Sequence, residues 1–275
     1  MMTNLAVFQS WGTILAQLFA LNSNDTDGLQ SLILSGPISN AKAYIDAQWD
    51  PNDTNNLASL PPFVQHRIHA LEEANAYDTS EYKAIEEVLS TFFTMRTNPV
   101  PDCFEESAEG VNEEIYVGMQ GASEFTISGV LGDLDLIPRL NELKVPVLLT
   151  HGEFDTMRPS TVKAIQDHIP ISERVMFPHS GHVSMIDDAE LMNDVVASFI
   201  SRVEKGGEIG GGMNEGGGGG VAEEAAAEGD GATVEKSTQC LSLTWIKVVF
   251  TFLAGFLIGE LKIGRRRNRD GYTSV

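Results

Sequence analysis

Phe8-Gln9-Ser10-Trp11-Gly12 sets a serine between an apolar run and a helical pattern. Leu5 to Phe8 suit a buried strand end, and Ile14, Leu15, Leu18 and Phe19 then recur at helical spacing, so a helix starts just after Ser10. A serine on a sharp strand-to-helix turn is the setting of an exposed nucleophile. A serine ahead of a helix is also a common N-cap, so Ser10 alone decides nothing. The position raises a second question, because the strands that support such a turn ordinarily come before it.

The chain downstream supplies more strands. Leu32-Ile33-Leu34 is an apolar run stopped by Ser35-Gly36-Pro37, and Val145 to Thr150 is another stopped by His151-Gly152. Val175-Met176-Phe177 is a fourth, and Leu191, Val195, Val196, Phe199 and Ile200 form the apolar stripe of a final helix. Short strands without polar alternation, with helices between them, predict a mostly parallel sheet covered on both faces: the α/β class. Residues 46–121 break this rhythm. Helical patterns at Val64–Ala76 and Ser80–Met95 follow one another with no strand between, so this stretch reads as a helical insertion between two sheet strands.

Three residues then fall into order. Ser10 follows the first strand, Asp155 lies just beyond the third in THGEFD, and His182 just beyond the fourth in FPHSGH. Loops at the carboxyl ends of parallel strands are where open α/β sheets place their sites. Serine is a weak nucleophile until a histidine takes its proton, and that histidine needs a carboxylate to fix its tautomer. The helix after Ser10 would turn its positive end toward a developing oxyanion, with the Trp11 N–H as a donor. Singly, Asp155 reads better as a turn residue and His182 as a loop histidine; the order Ser, Asp, His is what selects the catalytic reading. His179 is the rival base. His66, His69, His151 and His168 show no metal-like grouping, and the reaction calls for no metal and no cofactor.

At these residues the chain resembles the proline iminopeptidases of the α/β-hydrolase fold, over roughly residues 6–203. The most specific pieces are GASEFTISGVLGDLDLIPRLNELKVPVLLTHGEFDTMRP, the FPHSGH run, and QSWG, which is similar to the family's GQSWGG elbow. PPFVQHRIHALEEANAYDTSEYKAIEEVL and PDCFEE look like its helical cap. The resemblance implies a core at 1–45 and 122–204 with a cap at 46–121, and removal of an N-terminal proline or similar residue from short peptides. It also implies that Glu124, the glutamate of the GxxEF motif, holds the substrate's free ammonium. A carboxylate beside a desolvated amine offsets the cost of burying that charge. Where family members often carry a second glutamate after the triad aspartate, this chain has Thr156, and the first elbow position is Phe8 instead of glycine. The family's first strands and its HGGPG loop have no counterpart here. A nucleophile near residue 10 is therefore what a chain lacking the front of the domain would show.

Composition narrows the partners. Of 275 residues, 39 are acidic and 18 basic, a net charge of −21 that argues against nucleic acid, since phosphate binding needs basic surface. The cysteines, Cys103 and Cys240, form neither a metal-ligand spacing nor a disulfide framework, and Cys103 reads as a small buried hydrophobe. Residues 205–240, rich in glycine, alanine and glutamate, read as a flexible linker. Leu241–Gly264 is long and apolar enough to span a bilayer once, and Arg265 to Arg267 with Arg269 make residues 265–275 a basic tail. The expected protein is a membrane-anchored serine aminopeptidase. A catalytically impaired relative acting as an anchored binding protein, and a hydrolase of another amide or ester, are the alternatives.

Overall fold

The computed structural model describes residues 7–23 and 28–210. The expected span at 241–264, the basic tail and the linker beyond residue 210 lie outside the described residues. Among the described residues no helix is long and apolar enough to cross a membrane.

Four strands lie side by side in chain order, β1 (Val7–Gln9), β2 (Leu32–Ser35), β3 (Val147–Gly152) and β4 (Ser172–Phe177). All pairings are parallel, and the ladder puts Gln9 opposite Ser35, Ser35 opposite Thr150, and Gly152 opposite Phe177. The carboxyl ends of the strands are therefore aligned. The apolar runs of β2 and β3 do not alternate because both faces of these central strands are covered, whereas β1 is half-buried and Met176 of β4 is exposed. Leu32, Leu34, Val147 and Leu149 face one cluster with α1 (Gly12–Asn22), α2 (Ala41–Gln48) and α7 (Pro159–His168). Ile33 and Leu148 face another, built with Met192, Val195 and Phe199 of α9 (Ala189–Glu204). Each fully buried apolar side chain contributes about 1.5–3 kcal/mol.

Between β2 and β3 the chain forms α3 (Pro62–Glu73), α4 (Ser80–Phe93), α5 (Asp102–Glu109) and α6 (Glu113–Met119). Leu57, Ile68, Leu89, Phe93 and Phe125 make a separate core there. Three details depart from the sequence reading. Leu15 and Phe19 of α1 are exposed at 39% and 48%, while Thr13 and Gln17 are buried. Beside buried Ile14 and Ala16, the helix docks through polar bonds: Gln17 donates to Ile38 O at 3.0 Å and accepts from the Ser39 hydroxyl at 2.5 Å. Helix α2, which the sequence reading did not name, is capped by Asn40, which accepts from Ala43 N–H. Cys103 is half-buried instead of buried, because α5 carries no buried side chain.

His151 of β3 is a buried neutral histidine. Its Nδ1 sits 3.0 Å from Gly152 O and its Nε2 3.2 Å from Arg174 Nη1, which makes Nδ1 the protonated nitrogen. Burial, helped by the Arg174 and Arg158 charges against the opposing pull of Asp155, lowers its pKa from 6.5 to about 4. The folded value lies below the unfolded one, so this contribution is present above pH 6.5 and is lost as pH falls toward 4. It is on the order of 3 kcal/mol. Between pH 7 and 4.5, urea titrations should show the native chain losing roughly 2–3 kcal/mol more than His151→Gln. Equal losses would contradict the assignment.

Candidate active site

Ser10 sits between β1 and α1 with φ +55°, a left-handed conformation that costs a non-glycine residue about 1–2 kcal/mol. The surroundings enforce it. Ser10 N–H donates to Ser35 O at 3.0 Å, while Ser10 O accepts from Thr13 N–H at 2.8 Å and from the Thr13 hydroxyl at 2.5 Å. Strain of this kind, held by neighbours on both sides, is found where a side chain must be projected from a turn. Trp11 follows as the N-cap of α1, and its ring meets Tyr116 of α6 at 5.9 Å. The Phe8 side chain finds room, half-buried against the α1 face of the core.

Asp155 and His182 meet as the sequence order suggested. His182 Nδ1–H donates to Asp155 Oδ1 at 2.8 Å, and Met157 N–H donates to the same oxygen at 2.8 Å. Asp155 is fully buried and His182 is 4% exposed. His182 N–H donates to Phe93 O at 2.8 Å, and His182 O accepts from the Gln9 amide at 2.7 Å, which ties the histidine loop to the residue before Ser10. Gly36, next to the Ser35 that receives the Ser10 N–H, lies against the imidazole: a Cβ there would stand 2.5 Å from His182 Cε1. His182 Nε2 is buried and without a hydrogen-bond partner, so Ser10 Oγ and Nε2 are not bonded to each other. Serine–histidine contacts of this type are commonly long before substrate binds. His179, the rival base, is exposed on the outer side of its loop.

Charge at the site is set by these neighbours. Burial alone would lower the His182 pKa, but the charge and hydrogen bond of Asp155, with the Glu124 charge, raise it to about 9. Glu124 is half-buried, and its backbone carbonyl accepts from the Tyr44 hydroxyl at 2.6 Å. Burial first, then Asp155 and Glu86, raise the Glu124 carboxyl, while His182 opposes them. Thr156 is buried beside Asp155, its hydroxyl 3.5 Å from Oδ1.

Arg158, which no motif in the sequence singled out, holds the Asp155 loop from beneath. It is 2% exposed, ion-pairs with Asp53 at 3.0 Å, and donates to Asp155 O at 3.0 Å and Thr54 O at 2.7 Å. Asp187 does the same for the histidine loop, accepting from Gly181 N–H at 2.9 Å and from Arg96 and Thr97 N–H at 2.8 Å.

A parallel sheet, a strained serine at its edge strand and a buried Asp–His pair beyond later strands can be compared with known proteins. The crystal structure of proline iminopeptidase from Mycobacterium smegmatis superposes with a TM-score of 0.65 at 27% identity, covering 74% of this chain and 66% of that one. The crystal structure of VinJ gives 0.65 at 26% identity, covering 72% and 66%. The fold is the α/β-hydrolase fold. Among curated proteins, the proline iminopeptidase of Heyndrickxia coagulans is 33% identical over 195 residues, which are 70% of this chain and 65% of the relative. That of Flavobacterium johnsoniae is 30% identical over 197 residues, 70% of this chain and 64% of the relative. The chain thus spans just under two thirds of the curated relatives it matches. No family model matches it. Along this sheet Ser10 lies at the turn between β1 and α1, Asp155 beyond β3 and His182 beyond β4.

Proposed function

We propose that this protein is a serine hydrolase that removes an N-terminal residue, proline or one similar to it, from short peptides. The observation that carries the reading is the strained Ser10 turn assembled with the 2.8 Å His182–Asp155 hydrogen bond. Ser10 Oγ attacks the scissile carbonyl and His182 Nε2 takes its proton, with Asp155 holding the Nδ1–H and stabilising the imidazolium. Trp11 N–H, at the positive end of α1, donates to the oxyanion. His182 then protonates the departing amine, and water releases the acyl group by the reverse proton path. The names of the relatives support the peptide substrate, and Glu124, close enough to His182 to raise its pKa, supports an ammonium beside the reacting carbon.

Glu124→Gln tests this. Loss of a charge-assisted contact is worth roughly 1.5–3 kcal/mol, so KM for prolyl amides should rise about 10- to 100-fold. N-acylated substrates should be nearly indifferent. The pH profile should shift as well. His182 acts as a base only when neutral, and its pKa is about 9, so kcat/KM falls below that pH. Glu124 is one of the charges that raise His182, so Glu124→Gln should move the acid limb to lower pH. Equal KM effects on free and acylated substrates would remove Glu124 from amine binding.

A further inference from the structure

Helix α4 meets the site at its C-terminal end and carries an acidic residue toward it from its middle. At its C-terminal end, Phe93 O and Thr94 O accept the backbone N–H groups of His182 and Val183 at 2.8 and 2.9 Å. Two turns earlier, on the same helical face as Phe93, stands Glu86. Its Oε1 accepts from the Ser123 hydroxyl at 2.6 Å, and that hydroxyl oxygen in turn accepts from Phe125 N–H at 3.2 Å. Ser123 is 1% exposed. Ser123 and Phe125 flank Glu124, so the Glu86 carboxylate is pinned to the turn that carries Glu124.

Among the described residues, His182 is the cationic group that opposes the Glu124 charge. Among the described residues no lysine or arginine pairs with either carboxylate. Tyr116, stacked at a tilt on Trp11, registers both charges: burial first, then Glu124 and Glu86, raise its phenol. Beside them His182 presents a buried Nε2 with no partner. Two like charges held together in a partly desolvated region are costly until a cation lies between them. A substrate's N-terminal ammonium is such a cation. Even the secondary ammonium of an N-terminal proline has two N–H donors, one for each carboxylate.

We propose that Glu86 is a specificity-determining residue, forming with Glu124 a two-carboxylate site for the N-terminal ammonium of the substrate. The proposal rests on the aminopeptidase reading above and adds to it the residue, on a helix of the insertion, that completes the amine site.

Binding measured by calorimetry on the full chain carrying Ser10→Ala tests it without turnover. The probes are L-prolinamide and its neutral isostere cyclopentanecarboxamide. Glutamine at position 86 keeps the acceptor for the Ser123 hydroxyl and removes only the charge. Glu86→Gln should therefore weaken L-prolinamide about 10-fold or more, change the isostere less than about twofold, and leave the melting temperature unchanged or higher. If Glu86→Gln leaves L-prolinamide binding unaltered while Glu124→Gln weakens it, Glu86 is not part of the amine site and the aminopeptidase reading stands. If Glu124→Gln also fails to separate the two probes, the ammonium-binding reading falls, and Glu86 with it. A fall in melting temperature with equal weakening of both probes would make Glu86 structural and overturn the proposal.

Discussion

Ser10→Ala is expected to lower kcat for prolyl amides by about 10⁶ while leaving substrate affinity within a few fold. The reason is that serine, histidine and aspartate act as one unit: without Oγ, the buried His182–Asp155 pair has no proton to accept. For the same reason His182→Ala alone should cost a similar factor, and the double variant should add little. Asp155→Asn should cost about 10⁴, because it reverses the hydrogen bond at Nδ1 and presents the wrong tautomer. The variants keep the fold, since alanine at position 10 inherits the same turn and the same bond from its N–H to Ser35 O. Steady-state kinetics with a prolyl p-nitroanilide reads all four. If Ser10→Ala retained even a hundredth of the activity, Ser10 would not be the nucleophile.

Gly36→Ala is expected to have the next largest effect, although Gly36 carries no chemistry. Its φ is +54°, and a Cβ would lie 2.5 Å from His182 Cε1, 2.7 Å from Nδ1 and 3.3 Å from Asp155 Oδ2. The backbone cannot retreat, because Gly36 N–H donates to Thr150 O at 2.8 Å within the sheet. The imidazole must therefore move, and the hydrogen bond to Asp155 is the contact it loses. A displacement of about 1 Å in a reacting group costs on the order of 10² in rate, and loss of the Nδ1 contact brings this toward 10⁴. The left-handed alanine should also cost about 1–2 kcal/mol of stability. Kinetics together with a urea titration reads both. Unchanged kcat in a destabilised protein would mean that the glycine serves the turn only.

Much of this was legible because parallel sheets write themselves plainly. Leu32 to Leu34 and Val147 to Leu149 are apolar at successive positions since each strand is covered on both faces, and the residues just past such strands are the ones that meet. Ser10, Asp155 and His182 were selected as candidates by that rule together with their order, and of the three the structure joins Asp155 and His182 by a hydrogen bond. What stayed hidden depends on contacts distant in sequence. Arg158 looks like an ordinary helix-start residue until Asp53 and the carbonyls of residues 54 and 55 are folded over it. Gly36 reads as a turn glycine, and only the approach of the imidazole gives it a second role. Glu86 lies in a helix with several acids, and the sequence does not say which of them faces Ser123. The stripe of α1 misled in part: buried Gln17 satisfies its amide on Ile38 and Ser39, so Thr13 and Gln17 share the inward face with Ile14 and Ala16, and Leu15 and Phe19 are left outside. The sharp turn at Ser10, in contrast, was implied by the strand–serine–helix order, and the structure makes it with a positive φ.

The most direct test of the central claim is covalent labelling of the full chain with a fluorophosphonate, followed by mass spectrometry of the peptides. The account predicts one adduct per chain, on Ser10. Labelling should be lost in Ser10→Ala, strongly slowed in His182→Ala, and slowed as pH falls below about 9, where His182 carries its proton. Excess L-prolinamide should protect. Stoichiometric labelling of a different serine, or hydrolysis of prolyl amides by a chain that takes no label on Ser10, would contradict it. Protection by L-prolinamide of some other probe, with Ser10 inert at every pH, would instead identify a binding protein built on the α/β-hydrolase fold.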